Sequence, residues 1–420
     1  MIGPTAYFDP ATADGLDAPL RDLVERRARA LGSAYRLFYA EPVQFVRGER
    51  SHLFDADGTD YLDVYNNVPS VGHAHPRVAE AIARQAATLA THTRYLDAAL
   101  IDYAEDLLGT FPAHLDNVMF TCTGSEANDL ALRIAKTATG AAGVIVTANA
   151  YHGVTTETAA ISPSLGGPGS LADWVRFVPA PRPGVDFAAA VRASIAELEG
   201  SGIRPAALIV DSIFASDGVL PDAPGLADAV AAVHAAGGLF LADEVQPGFG
   251  RLGTGLWGFD RHQLAPDLVT LGKPMGNGYP VAAVVARSGL VDAFGRHARY
   301  FNTFGGSNVA IAAAQATLDV VRDEGLVEHA HEIGDYLLER LRALQAERGS
   351  IRDVRGSGLF IGVELDTEEQ ALAAVNGLKL RRILLGETGK DNTVLKIRPP
   401  LVFDRSDADR LMEGLAEVVE

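Results

Sequence analysis

Residues 226–243 read Leu-Ala-Asp-Ala-Val-Ala-Ala-Val-His-Ala-Ala-Gly-Gly-Leu-Phe-Leu-Ala-Asp. Leu226–Ala236 has a helical pattern, Gly237-Gly238 stops it, and Leu239–Asp243 is a short apolar run closed by an acid. Working outward, apolar runs of strand length recur at Gly143–Ala148, Ala206–Asp211, Leu268–Leu271 and Val281–Ala286. Helical patterns at Leu130–Lys136 and Phe187–Glu199 lie among them. Strands that are apolar on both faces and alternate with helices predict an α/β fold, a mostly parallel sheet covered on both sides. Ligands in such sheets gather just beyond the carboxyl ends of the strands.

Outside this block, residues 16–32 read as an amphipathic helix. Val43–Val46 and His52–Asp55 read as strands, with Asp57-Gly58 as a turn signal. His75-Pro76 opens a helix to about Leu89, with proline in its first turn. Val309–Arg322 and Leu326–Gln345 are long helical patterns. Val354–Leu365 and Val394–Ile397 read as strands, and Ser406–Val419 as a closing helix. The expected organisation is a large sheet domain over 66–315 and a smaller α+β domain over 316–420. The N-terminal segment, 1–65, is expected to pack with the smaller one.

A chain of 420 residues with 48% hydrophobic and 21% charged residues is ordinary for a globular protein. Its formal net charge of −18 argues against a nucleic-acid partner, which needs a basic face. Cys122 is the only cysteine, so no intrachain disulfide can form; it reads as a small buried hydrophobe rather than a nucleophile. No apolar run reaches membrane-spanning length, and Met-Ile-Gly-Pro-Thr-Ala-Tyr-Phe-Asp-Pro at the start lacks signal-peptide character. A cytoplasmic location and no membrane partner are expected. His73, His75, His92 and His152 are scattered without metal-ligand spacing, so no metal is expected.

Three segments carry chemistry. Thr123-Gly124-Ser125-Glu126-Ala127-Asn128 precedes a helical stretch and offers bare N–H groups, a hydroxyl and a positive dipole end, a cradle for phosphate. By itself, a serine before a helix is more often just an N-cap. Second, Asp243 and Glu244 close the apolar run and lead into Val245-Gln246-Pro247-Gly248-Phe249-Gly250-Arg251. An acid at a strand end forms turns, but it also pairs with a protonated heterocyclic nitrogen and keeps it charged. Glu244 points the other way in an extended chain and reads as structural. Third, Lys273 closes Leu268-Val269-Thr270-Leu271-Gly272 and enters a loop with Gly276 and Gly278. Lysines are mostly solvated. One that ends a buried strand has a depressed pKa and forms imines with carbonyls.

Together these segments resemble the class III (subgroup II) aminotransferases, fold-type I enzymes dependent on pyridoxal 5'-phosphate (PLP). The resemblance runs from Gly72-His73-Ala74-His75-Pro76 to Leu395-Lys396-Ile397-Arg398-Pro399-Pro400. It implies that Lys273 holds PLP as a Schiff base and shuttles a proton, and that Asp243 pairs with the pyridine nitrogen. It further implies that Gly124 and Ser125 bind the phosphate, Tyr151 and Val245 flank the ring, and Gln246 contacts the phenolic oxygen. His152 reads either as a cofactor or substrate contact or as a structural hydrogen-bonding group. Thr303, in Tyr300-Phe301-Asn302-Thr303-Phe304-Gly305-Gly306, would reach the phosphate of a neighbouring subunit's cofactor, which implies a homodimer with shared sites.

The implied activity is amino-group transfer between an amine or amino acid and a keto acid or aldehyde. Departures bear on the substrate. Asp211 stands where many relatives have a glutamate that masks an arginine, and Lys396 stands where many have the carboxylate-binding arginine. Arg398 falls two positions on, so either cation could bind a substrate anion; lysine lacks the bidentate fork. His92-Thr93-Arg94-Tyr95-Leu96-Asp97 and the Lys396 segment also resemble a branch with phospholyases acting on O-phosphorylated amines. Elimination of phosphate, or racemisation or epimerisation, uses the same apparatus.

Overall fold

The computed structural model describes residues 6–166 and 172–419. The signal-peptide reading rests in part on residues 1–5, outside the described residues. The central sheet has seven strands in the order Asn117–Thr121, Ala282–Ala286, Leu268–Leu271, Leu239–Asp243, Pro205–Asp211, Gly143–Thr147, Val175–Val178. Ala282–Ala286 is antiparallel to both its neighbours, and the remaining neighbours pair in parallel.

Alternation along each strand feeds two cores. Leu208, Val210, Phe240 and Ala242 join one, with helices Ala98–Leu108, Phe187–Gly200 and Leu226–Ala235. Ala207, Ile209, Leu239 and Leu241 join the other, with helices Gly124–Thr139 and Ser288–His297. Burial on both faces is why these strands carry almost no polar side chains.

Two sequence expectations need correction. The helix expected over Leu130–Lys136 spans Gly124–Thr139. Its start is set by a capping box rather than by apolar periodicity. Thr123 Oγ1 accepts from Glu126 N, and the Glu126 carboxylate accepts from Thr123 N at 2.9 Å. The single strand expected over Val354–Leu365 is an antiparallel hairpin of Ile351–Ser357 and Phe360–Leu365. The chain reverses through Gly358 at φ +53°, where a Cβ would lie 2.5 Å from the Arg251 carbonyl oxygen. Glycine is required there, and Gly356-Ser357-Gly358 is a turn signal that the single-strand reading passes over. The edge strands Asn117–Thr121 and Val175–Val178 were not anticipated.

Two four-stranded sheets lie outside the central one. The first joins Phe45–Glu49, His52–Asp55 and Asp60–Asp63 to Ile383–Leu384; the second joins the 351–365 hairpin to Val394–Ile397 and Gly386–Thr388. His52 ties the first sheet to helix Arg405–Val418, with Nδ1 2.8 Å from Asp60 Oδ1 and Nε2 3.1 Å from Asp407 Oδ1. The hydrogen bond to Asp407, then that to Asp60, raises the His52 pKa above its ordinary 6.5 against the opposing effect of burial. Stabilisation by the charged ring is therefore complete below the unfolded value and fades as pH climbs through the raised folded one. His52→Gln is expected to lower the melting temperature by roughly 2 °C at pH 5.5 and to leave it unchanged at pH 9. Melting curves at the two pH values check this; an equal loss at both would mean packing, not charge.

Candidate active site

The carboxyl ends of the central strands meet the start of helix Gly124–Thr139 around one cavity of about 160 Å³. Gly124, Ser125, Tyr151, His152, Asp243, Val245, Gln246 and Lys273, all singled out from sequence, line it. Asn128, Gly153 and Asp211 line it as well. The backbone comes close because side chains are missing where chains cross. A Cβ at Gly124 would lie 2.9 Å from Val245 Cγ1, and one at Gly153 would lie 2.6 Å from Ser125 Oγ. That hydroxyl accepts from Val154 N at 3.2 Å.

Asp243 is buried. Its Oδ2 accepts from Asn128 Nδ2 at 2.8 Å and lies 2.7 Å from His152 Nδ1, and its Oδ1 accepts from Val245 N at 3.0 Å. His152 Nε2 is buried with no hydrogen-bond partner among the described residues. Lys273 opens a single 3-10 turn directly after Leu268–Leu271, its side chain on the cavity. Although open to that cavity, it is ringed by protein, and burial, with Arg398 nearby, lowers its pKa from 10.5 to about 8. Asp243 and Asp211 pull the other way. Burial, then the neighbouring Asp243, lifts Asp211 to about 6.

Glu244 turns away from the cavity, as expected. It accepts from Gly258 N at 2.7 Å and Phe259 N at 2.8 Å and from the Ser212 hydroxyl. Burial raises its pKa to about 8. Cys122, expected to be buried, is half-buried; burial, then Glu126, pushes its thiol up, so it is a poor nucleophile.

Arg398 and Lys396 stand beside the cavity lining, not in it. Arg398 Nη1 donates to Gln246 Oε1 at 2.8 Å and Asn67 Oδ1 at 2.9 Å, and its guanidinium lies 4.5 Å above the Tyr65 ring. Burial, then Arg398 and Lys273, holds Lys396 well below its usual pKa. Arg251 lies close to Arg398, and burial with that neighbour lowers it to about 9. Arg398 Nε and Arg251 Nη2 are buried without hydrogen-bond partners among the described residues. Thr303 is exposed and outside the cavity. Tyr65, Asn67 and Asn128 were missed as site residues; only Asn128 had a signal, four residues past Gly124 on the same helix face.

The family model of aminotransferase class-III matches residues 39–419. The chain belongs to the class-III aminotransferase family. This PLP-dependent aminotransferase is 40% identical to the alanine–glyoxylate aminotransferase 2-like protein of Drosophila melanogaster, over 94% of this chain and 86% of the relative. It is 38% identical to ethanolamine-phosphate phospho-lyase homolog 1 of Caenorhabditis elegans, over 98% and 96%. A phospholyase from Arthrobacter in complex with phosphoethanolamine has the same fold. Its TM-score is 0.92 and its identity 40%, covering 94% of this chain and 99% of that one. The aminotransferase is thus a fold-type I enzyme whose cofactor is PLP. Among its described residues no helix is long and apolar enough to cross a membrane, and no cluster of His, Cys, Asp or Glu could hold a metal.

The cavity suits this cofactor. Glycine-lined backbone and a hydroxyl meet at a helix N-terminus where a phosphate would sit. An aromatic ring and a valine stand ready for a flat ring, an amine for its aldehyde and a carboxylate for its nitrogen.

Proposed function

We propose that Lys273 is the covalent attachment point of PLP and then the base of amino-group transfer, with Asp243 facing the pyridine nitrogen. The observation that carries this reading is a lysine ringed by protein and facing the same cavity as a buried carboxylate, its pKa lowered to about 8. Near neutrality such an amine both accepts and returns protons. Gly124 and Ser125 would hold the phosphate, Tyr151 and Val245 the ring faces, and Gln246 the phenolic oxygen. When bound, the cofactor supplies the electron sink for the carbanion left on the substrate. Lys273 Nζ would take the proton from the substrate carbon and return it at C4′ of the cofactor, the carbon that had been its aldehyde.

Thr303 would serve the site of a second copy. It sits beside the exposed Phe301 and Phe304. The His92 ring and Arg94 pack on Phe301, next to the exposed Tyr95 and Leu96. An apolar surface of this kind suits a homodimer interface.

A second reading, elimination of phosphate from an O-phosphorylated amine, is favoured by the cations. Lys396, Arg398 and Arg251 gather beside the cavity, and the two arginines form no ion pair among the described residues. Such a cluster matches a dianion better than a single carboxylate. Two relatives are named for phospholyase activity.

The holoenzyme should be mixed with amines, amino acids and O-phosphorylated amines and followed by its visible spectrum and by phosphate release. Amino-group transfer predicts full conversion of bound cofactor to the pyridoxamine form within a turnover. Phosphate release with the aldehyde form retained would replace this reading by the second. Neither change with any donor would sink both.

A further inference from the structure

Asn128 closes the Gly-Ser-Glu-Ala-Asn motif, yet nothing in the cofactor contacts above requires it. It lies on the cavity wall, 1% exposed, four residues after Gly124 and hence one helical turn further along the same face. Its amide nitrogen Nδ2 donates to Asp243 Oδ2 and to the His152 carbonyl oxygen, both at 2.8 Å. Its Oδ1 accepts from Thr270 Oγ1 at 2.6 Å.

These partners leave the amide one orientation. Turned over, Oδ1 would face a carbonyl oxygen and a carboxylate oxygen, neither with a proton to offer. Thr270 supplies the only hydrogen bond that Oδ1 has among the described residues. It is the single polar side chain in the buried strand Leu268–Leu271, and it pairs in register with Asp243.

The effect reaches the carboxylate. Asp243 Oδ2 is filled by Asn128 Nδ2 and His152 Nδ1, whereas among the described residues Oδ1 holds only Val245 N. An ionised carboxylate oxygen takes about two hydrogen bonds. The open acceptor position is therefore on Oδ1. We propose that Asn128, locked by Thr270, is a positioning residue that orients the Asp243 carboxylate so that Oδ1 meets the protonated ring nitrogen of the cofactor. The proposal rests on the reading of Asp243 as the nitrogen's partner.

The test uses two ligands on apoenzyme: PLP and its 1-deaza analogue, in which the ring nitrogen is replaced by C–H. Equilibrium absorbance titrations give both affinities, and melting curves show that each variant folds. Wild type is expected to prefer PLP. Asn128→Leu should weaken PLP binding about tenfold and leave the analogue's affinity unchanged, because the lost orientation matters only to a ring that carries the nitrogen. Thr270→Val, which removes the hydroxyl at nearly constant volume, should act in the same sense by about threefold, and Thr270→Ser should restore wild-type values. Equal losses for both ligands, or none for either, would overturn the positioning role. A wild type that binds the two equally would instead remove the reading of Asp243 beneath it. Should Asn128→Leu fail to fold, the threonine pair decides the matter alone.

Discussion

Lys273→Ala is expected to lower turnover by about 10⁴-fold or more, because in the proposed reading one amine would serve both as covalent anchor and as proton carrier. The lysine's chemistry follows from its place. With a pKa lowered to about 8, about a tenth of the amine is neutral and nucleophilic at pH 7, against less than about a thousandth for an ordinary lysine. Recombination of apoenzyme with PLP should therefore speed up as pH rises and level off above about pH 8. Lys396 is the rival amine, since its pKa is also lowered and it lies near enough to Lys273 to feel its charge. It stands outside the cavity lining. Borohydride reduction of the wild-type holoenzyme followed by peptide mass mapping should place the cofactor on Lys273. A label on Lys396, or a Lys273→Ala enzyme of normal rate, would refute the assignment.

Much of this site was legible because it lies at points where the chain changes character. Asp243 and Lys273 each interrupt an apolar run, and polar groups at buried strand ends need a reason. Gly124 and Ser125 sit at a helix start whose glycine and hydroxyl already suggest an anion. The sheet itself was readable because strands buried on both faces carry almost no polar residues to confuse the pattern. What escaped depends on contacts between segments far apart in the chain. Tyr65 and Asn67 hold Arg398 across more than 300 residues, and no local pattern announces that. Thr270 carries no signal of its own in the strand pattern, and its part depends on Asn128, a partner on another element. The hairpin at Gly358 failed for a different reason: Gly356-Ser357-Gly358 is itself a turn signal, and reading the residues on both sides as one strand passes over it.

Asp243→Asn isolates the other half of the chemistry. If Asp243 faces the pyridine nitrogen as proposed, removing its charge is expected to cost roughly 100- to 1000-fold in kcat, the scale on which a single aimed electrostatic group acts. The substitution also disturbs its neighbours in a way the hydrogen bonds define. Asp243 receives Asn128 Nδ2 and His152 Nδ1 on one oxygen and Val245 N on the other. An amide has only one oxygen, so in either orientation its NH₂ confronts a donor. A destabilisation of about 1–3 kcal/mol should accompany the loss of rate. The two consequences separate cleanly in measurement. Melting of the apoenzyme reports the mismatched amide, with no cofactor involved. Borohydride trapping on Lys273 should survive, because attachment needs the lysine and not the carboxylate. The rate of proton removal from a deuterated donor should then carry the rest, falling far more than folding stability explains. A variant with a lowered melting temperature but wild-type proton removal would leave Asp243 a structural acid and nothing more.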